Sequence, residues 1–290
     1  MPSSKNSSVV WPGTVLVLIL ISIIILVSGY AAEKPADKPF LILYAFSDEG
    51  RLIGESMSVT RTETHLGRTV TVGQLSGKDI VLAELGIGMT NAAMTVQRMV
   101  DEFDPAAVLV TGIAGSVDTS VNIGDIVVCS TWIEHDYGYI GANGFEPGPI
   151  LVSLPGSDSL LRVLSFDVDS GLFAAARRLG EAELAIGKVG DRSPRLIAGG
   201  VGVSGNCFID NKEKRLWLNE QFAALITDME SSAVAQVCAI NSVPFVAFRS
   251  ASDLAGGSGS ATAGAELDEF LMIAADNSSS VVVRYLGELE

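Results

Sequence analysis

Residues 224–240 read Ala-Leu-Ile-Thr-Asp-Met-Glu-Ser-Ser-Ala-Val-Ala-Gln-Val-Cys-Ala-Ile. An apolar run, 224–227, ends on two carboxylates, and 231–240 continues with small and aliphatic residues. A buried strand that turns at once into a helix is the unit from which helix-covered sheets are built. Apolar runs of the same kind occur at 40–45, 80–85, 107–112, 126–132, 196–203 and 245–250. Helical patterns alternate with many of them, at 92–102 (capped by Asn91), 231–240 and 267–286. Residues 68–85 read as a hairpin that turns at Ser76-Gly-Lys-Asp79. The fold expected is a three-layer α/β/α domain with a central mixed, twisted sheet over residues 40–290. Residues 136–159, rich in glycine and proline, read as its longest loop. Gly256-Gly-Ser-Gly-Ser-Ala-Thr-Ala-Gly264 reads as a mobile flap.

The first 39 residues read differently. Residues 14–28 form a nearly unbroken aliphatic run, followed by Gly29-Tyr-Ala-Ala32 and the charged, proline-containing segment 33–39. Residues 1–32 are a signal peptide cut near Ala31 or Ala32, or an uncleaved anchor just long enough to span a bilayer. In either case the domain is expected outside the cytoplasm, touching a membrane only through this segment if it is uncleaved.

The chain carries 19 basic and 34 acidic residues, a net charge of −15. That balance argues against nucleic acid, whose phosphates demand clustered Lys and Arg. Lys212-Glu-Lys-Arg215, the longest basic run, reads as a solvated helix face. The three cysteines, Cys129, Cys207 and Cys238, are too few and too far apart for a disulfide framework, and Cys129 and Cys238 sit in apolar runs that suit a core. With only two histidines and no His/Cys cluster, no metal or cofactor is expected. His135 reads as a surface or interface residue.

Three segments share a design: Val203-Ser-Gly-Asn-Cys-Phe-Ile209, Thr227-Asp-Met-Glu-Ser-Ser232 and Arg249-Ser-Ala-Ser-Asp253. Each sets an aromatic or a carboxylate at the end of an apolar run. Glu49 follows the first strand in the same way. Ligands of open α/β sheets gather at the carboxyl ends of strands. One pocket built from these ends would hold a stacking ring, Phe208, and separately placed acids at Glu49, Glu230 and Asp253. Such a set suits a purine nucleoside whose glycosidic bond is to be broken.

These residues resemble the nucleoside phosphorylase superfamily, and within it most closely the 5′-methylthioadenosine/S-adenosylhomocysteine nucleosidases. The resemblance covers about residues 40–290 and runs through Leu85-Gly-Ile-Gly88, Thr111-Gly-Ile-Ala-Gly115, Asn122-Ile-Gly-Asp-Ile-Val127, His135-Asp136, Gly144-Phe-Glu-Pro-Gly148, the three segments above and Leu267-Asp-Glu-Phe-Leu271. It implies that Phe208 stacks on adenine, the Ile209 backbone reads the base edge, and Asp253, oriented by Ser252, protonates N7. It further implies that Glu49 activates a water, Glu230 binds the ribose hydroxyls, Met229 packs on the sugar and Ile87 joins the substrate-binding wall. A homodimer is implied as well.

Three positions depart from the family pattern. Ile113 stands where many of these nucleosidases have Ser, Asp228 replaces a Glu, and Asn143 lies where an aromatic often helps line the 5′-substituent pocket across the dimer. Two alternatives stay open at this point. One is a phosphate-dependent phosphorylase, for which Arg51, close after Glu49, is the candidate anion ligand. The other is a secreted storage or nucleoside-binding relative without turnover.

Overall fold

The computed structural model describes residues 38–289 apart from Glu183 and Ser260. The expected export segment 1–32, and the linker 33–39 up to residue 37, lie outside the described residues. In chain order the elements are β1 (Phe40–Tyr44), α1 (Ser47–Ser56), β2 (Ser58–His65), β3 (Arg68–Leu75), β4 (Lys78–Glu84), α2 (Met89–Phe103) and β5 (Ala107–Ser116). There follow β6 (Ile126–Val128), β7 (Thr131–Glu134), β8 (Gly138–Gly141), β9 (Gly144–Pro147), β10 (Ile150–Val152), β11 (Leu161–Val163), β12 (Phe166–Asp167) and α3 (Ser170–Leu179). The chain closes with β13 (Leu196–Ala198), β14 (Val201–Ser204), α4 (Lys212–Phe222), β15 (Ala224–Asp228), α5 (Ser231–Asn241), β16 (Phe245–Asp253) and α6 (Ala263–Glu288).

The strands form a mixed sheet in the order β12-β7-β14-β15-β5-β1-β4-β3-β2, with β16 joining β5 to β6 and β13 beside β6. Alternation along the central strands explains its two coats. In β1, Leu41 and Leu43 face one core with α2 and α5, whereas Ile42 and Tyr44 face the other with α1, α3 and α6. β4 divides in the same way, Val81 and Ala83 against Ile80 and Leu82. Continuous apolar strands buried on both faces are what a helix-covered sheet requires. The three-layer α/β/α expectation therefore holds.

Several local expectations are corrected. The runs 126–132 and 196–203 are each two strands, broken at 129–130 and 199–200. Gly199 and Gly200 take φ of 130° and 76°, a backbone that β-forming side chains avoid, so the chain bends there and passes to another part of the sheet. Residues 136–159 are not a bare loop, since β8 pairs with β9 and β10 pairs with β11. Asn91 does not cap its helix. α2 begins at Met89 after Gly88, and the Asn91 side chain, one turn in, donates to the Ile87 carbonyl. His135 is buried rather than on the surface, and burial lowers its imidazole pKa against the opposing pull of Asp136. The basic run 212–215 is not wholly solvated either. Arg215 is buried and its Nε donates to the Ser116 carbonyl.

Candidate active site

A cavity of about 390 Å³ opens where β1, β5, β14, β15 and β16 end. Its lining includes all eight residues singled out from the sequence: Glu49, Ile87, Phe208, Ile209, Met229, Glu230, Ser252 and Asp253. It also takes in Phe46, Asp48, Ile113 and, from α6, Leu267 and Leu271.

Glu49 sits in the first turn of α1, only 1% exposed. Its Oε2 accepts from the Ala45 amide at 2.6 Å and its Oε1 from the Ile113 amide at 2.8 Å. Burial raises its pKa; Arg249 and these amides oppose the rise. Ile113 thus serves Glu49 through its backbone, and its apolar side chain lies on the cavity wall. Gly112 makes this approach feasible. A Cβ there would lie 2.3 Å from Glu49 Oε1 and 2.4 Å from Arg249 Nη1.

Sequence reasoning assigned no role to Arg249, which organises the acids. Its guanidinium is fully buried and meets Asp228 at 2.8 Å, Glu230 at 3.2 Å and Glu49 at 3.6 Å. The available signal was a charge inside the apolar run 245–250, because a buried charge has to be paired. Asp228 also accepts from the hydroxyls of Ser204 and Ser231. Arg249 Nη1 makes no hydrogen bond among the described residues. Its free N–H stands beside Glu49 at the position where Gly112 has no side chain.

Glu230 precedes α5 and accepts from the Gly88 amide at 2.9 Å, tying the turn before α2 to the end of β15. Burial pushes its pKa up to about 7; Arg249 lowers it, while Asp228 and Glu49 raise it further. Asp253, at the end of β16, is 1% exposed. It accepts from the Ser252 hydroxyl and the Ala255 amide, each at 2.9 Å. Burial raises its pKa to about 6 and outweighs both hydrogen bonds. The two carboxylates therefore stand in different settings, one beside a guanidinium and one beside a hydroxyl. Phe208 is 49% exposed on the wall and makes no aromatic pair among the described residues, so one face is open to a planar ligand. Cys207, next to it, also lines the cavity and is a free thiol.

The phosphorylase candidate Arg51 points elsewhere, to Glu55 at 2.9 Å and Asp276 at 2.6 Å. No lysine or arginine among the described residues lines the cavity. Nor does any group of three or more His, Cys, Asp or Glu among them stand ready to hold a metal ion.

A mixed sheet with helices on both faces and an acid-lined cavity at its strand ends defines the nucleoside phosphorylase-like class of α/β proteins. The chain belongs to the phosphorylase superfamily, whose family model matches residues 39–287. It is 32% identical over 250 residues to a 5′-methylthioadenosine/S-adenosylhomocysteine nucleosidase of Bacillus thuringiensis subsp. konkukian, covering 86% of this chain and 98% of that protein. A solved nucleosidase of the same name from Colwellia psychrerythraea, in complex with adenine, is similar with a TM-score of 0.71 and 31% identity, over 87% of this chain and 96% of that one. The futalosine hydrolase of Helicobacter pylori is similar with a TM-score of 0.71 and 27% identity, over 87% and 98% of the two chains.

Proposed function

We propose that this protein is a purine nucleosidase that hydrolyses the N-glycosidic bond of nucleosides of the 5′-methylthioadenosine/S-adenosylhomocysteine type. The names of its relatives support that substrate class. In this reading the base lies on Phe208 with its edge at Ile209, and Asp253 delivers a proton to it so that it leaves neutral. With a pKa of about 6, Asp253 still holds its proton in a useful fraction near neutrality. Glu230 takes the ribose hydroxyls, and Met229 packs on the sugar. Glu49, on the cavity wall, accepts a proton from the attacking water. Positive charge that develops on the sugar is stabilised by the surrounding carboxylates.

One observation favours water over phosphate as the attacking group. Arg249, behind the wall, is already shared by three carboxylates, and no lysine or arginine among the described residues lines the cavity. A phosphate would enter next to Glu49, Asp228 and Glu230 with nothing to neutralise it. The test is adenine release from methylthioadenosine, S-adenosylhomocysteine and adenosine, with and without phosphate. Strict dependence on phosphate overturns hydrolysis, and failure to release base from any of the three leaves a binding protein.

The protein is also proposed to act as a homodimer outside the cytoplasm. Exposed Tyr139 and Ile140, on the β8–β9 hairpin, supply apolar surface that supports pairing of two copies. The aliphatic run 14–28 supports export. Sedimentation of the domain, and the N-terminal sequence of exported protein, test these two points.

A further inference from the structure

We infer that Glu266 is a positioning residue for Asp253, a negative neighbour from α6 that keeps the acid protonated while pinning the segment that follows it. The inference rests on the nucleosidase reading above. Glu266 lies in the first turn of α6, one residue before Leu267 of the cavity wall. It is only 6% exposed, and its Oε2 accepts from the Leu254 amide, next to Asp253, at 2.8 Å. A neutral Gln, with an acceptor oxygen at the same reach, would also serve that amide. A carboxylate buried beside another carboxylate costs stability, and such arrangements concentrate where a proton has to be held.

The groups around Asp253 sort clearly. Glu266 approaches from α6, and Asp210 from the segment before α4, where its Oδ1 accepts from the Ala263 amide at 2.9 Å. Both push the Asp253 pKa upward, after the larger effect of burial. Asp210 is exposed, so solvent and salt screen it and Glu266 carries the larger share. The cation of this neighbourhood, Arg215, packs on Gly257 and is engaged with the Ser116 carbonyl. Glu49, Asp228 and Glu230 are occupied with Arg249. The two chain ends of the 254–263 segment are thus each fixed by a carboxylate, Leu254 by Glu266 and Ala263 by Asp210.

The test is E266Q in the full chain, with kcat/KM for methylthioadenosine measured across pH. Gln keeps the acceptor oxygen for Leu254 and removes only the charge. The alkaline limb, which reports loss of the Asp253 proton, should move down by about half a pH unit, a loss of about threefold on that side. The acidic limb and the rate near its acidic plateau should stay in place. D210N should move the same limb in the same direction by less, and it carries the test if E266Q folds poorly. An equal loss at every pH, with both limbs unmoved, would make Glu266 a structural anchor only and overturn the inference. Infrared titration of the Asp253 carboxyl, taken as the difference from D253N, reads the same shift without turnover. Absence of adenine release from the parent protein would then count against the nucleosidase reading, and an unshifted Asp253 band in E266Q against this one.

Discussion

Arg249 Nε lies 2.8 Å from the Asp228 carboxylate, with both side chains almost wholly buried. The contact joins β16 to the end of β15 and orients the guanidinium toward Glu230 and Glu49. A charge of this kind cannot be removed cheaply, because its partners are left in the interior without compensation. Arg249→Met should cost about 3–5 kcal/mol, the usual scale for breaking one side of a buried ion pair. Urea unfolding measures it. A loss below about 1 kcal/mol would mean that water reaches the acids and that the cluster is not sealed.

Asp253→Asn should nearly abolish turnover while nucleoside binding persists. Asn preserves shape and most hydrogen bonding but cannot deliver a proton. A fall of about 10²–10⁴-fold in kcat is the scale for losing a general acid. Near-normal kcat would assign the proton to another group.

Glu49→Gln should also stop turnover, with a different signature. Without a base for the water, bound methylthioadenosine should remain intact, and a crystal soaked with it should show substrate rather than adenine. Rapid hydrolysis by this variant would move the base elsewhere in the cavity.

Much of this site was legible because its acids follow apolar runs, and strand ends are where such sheets collect ligands. Glu49, Phe208, Glu230 and Asp253 could be chosen on that ground without coordinates. Arg249 was visible as a letter but not as a hub, because nothing in a linear sequence shows that three carboxylates from different elements converge on it. The start of α1 is legible in Ser47-Asp-Glu-Gly50, but in a linear reading Glu49 there also fits a solvated helix start, whereas it is buried. β2 was missed. Ser58–His65 is exposed along most of its length, so its strand signal was limited to threonines and a valine without an apolar face. The kinks at 129–130 and 199–200 were hidden inside unbroken apolar runs, where only the Gly199-Gly200 pair marked a bend.

Stability should fall as pH rises through the range in which the buried acids ionise. Asp253 titrates near 6 when folded against about 3.9 when unfolded, and Glu230 near 7 against about 4.3. A raised folded pKa contributes stability that is complete below the unfolded value and lost as pH climbs through the folded one. For Asp253 the contribution is on the order of 2–3 kcal/mol, present below about pH 4 and gone above about pH 6. Thermal melting of the parent against D253N across that window measures it. The Asn variant, which cannot ionise, should show the flatter profile, and parallel profiles would place the Asp253 carboxyl in contact with water.

Gly112→Ala should damage catalysis as well as stability. Gly112 has φ of 152°, and an added Cβ would fall between Glu49 Oε1 and Arg249 Nη1 at 2.3 and 2.4 Å. Neither neighbour can yield easily, since Glu49 is held by two amides and Arg249 by Asp228 and Glu230. The new methyl must push one of them, and the space it takes is where Glu49 and the free N–H of Arg249 face each other. Overpacking of this kind costs about 1–3 kcal/mol in stability. A displaced base lowers the rate directly, because about 1 Å of misplacement can cost about 10²-fold. Gly202→Ala is the control: its Cβ would press on the Trp132 ring at 2.6 Å, and neither residue lines the cavity. If both variants lose kcat in proportion to their drop in melting temperature, the gap at Gly112 is simple packing. A G112A protein that melts near the parent but turns over about 10²-fold more slowly shows that the missing side chain makes room for the base and its water.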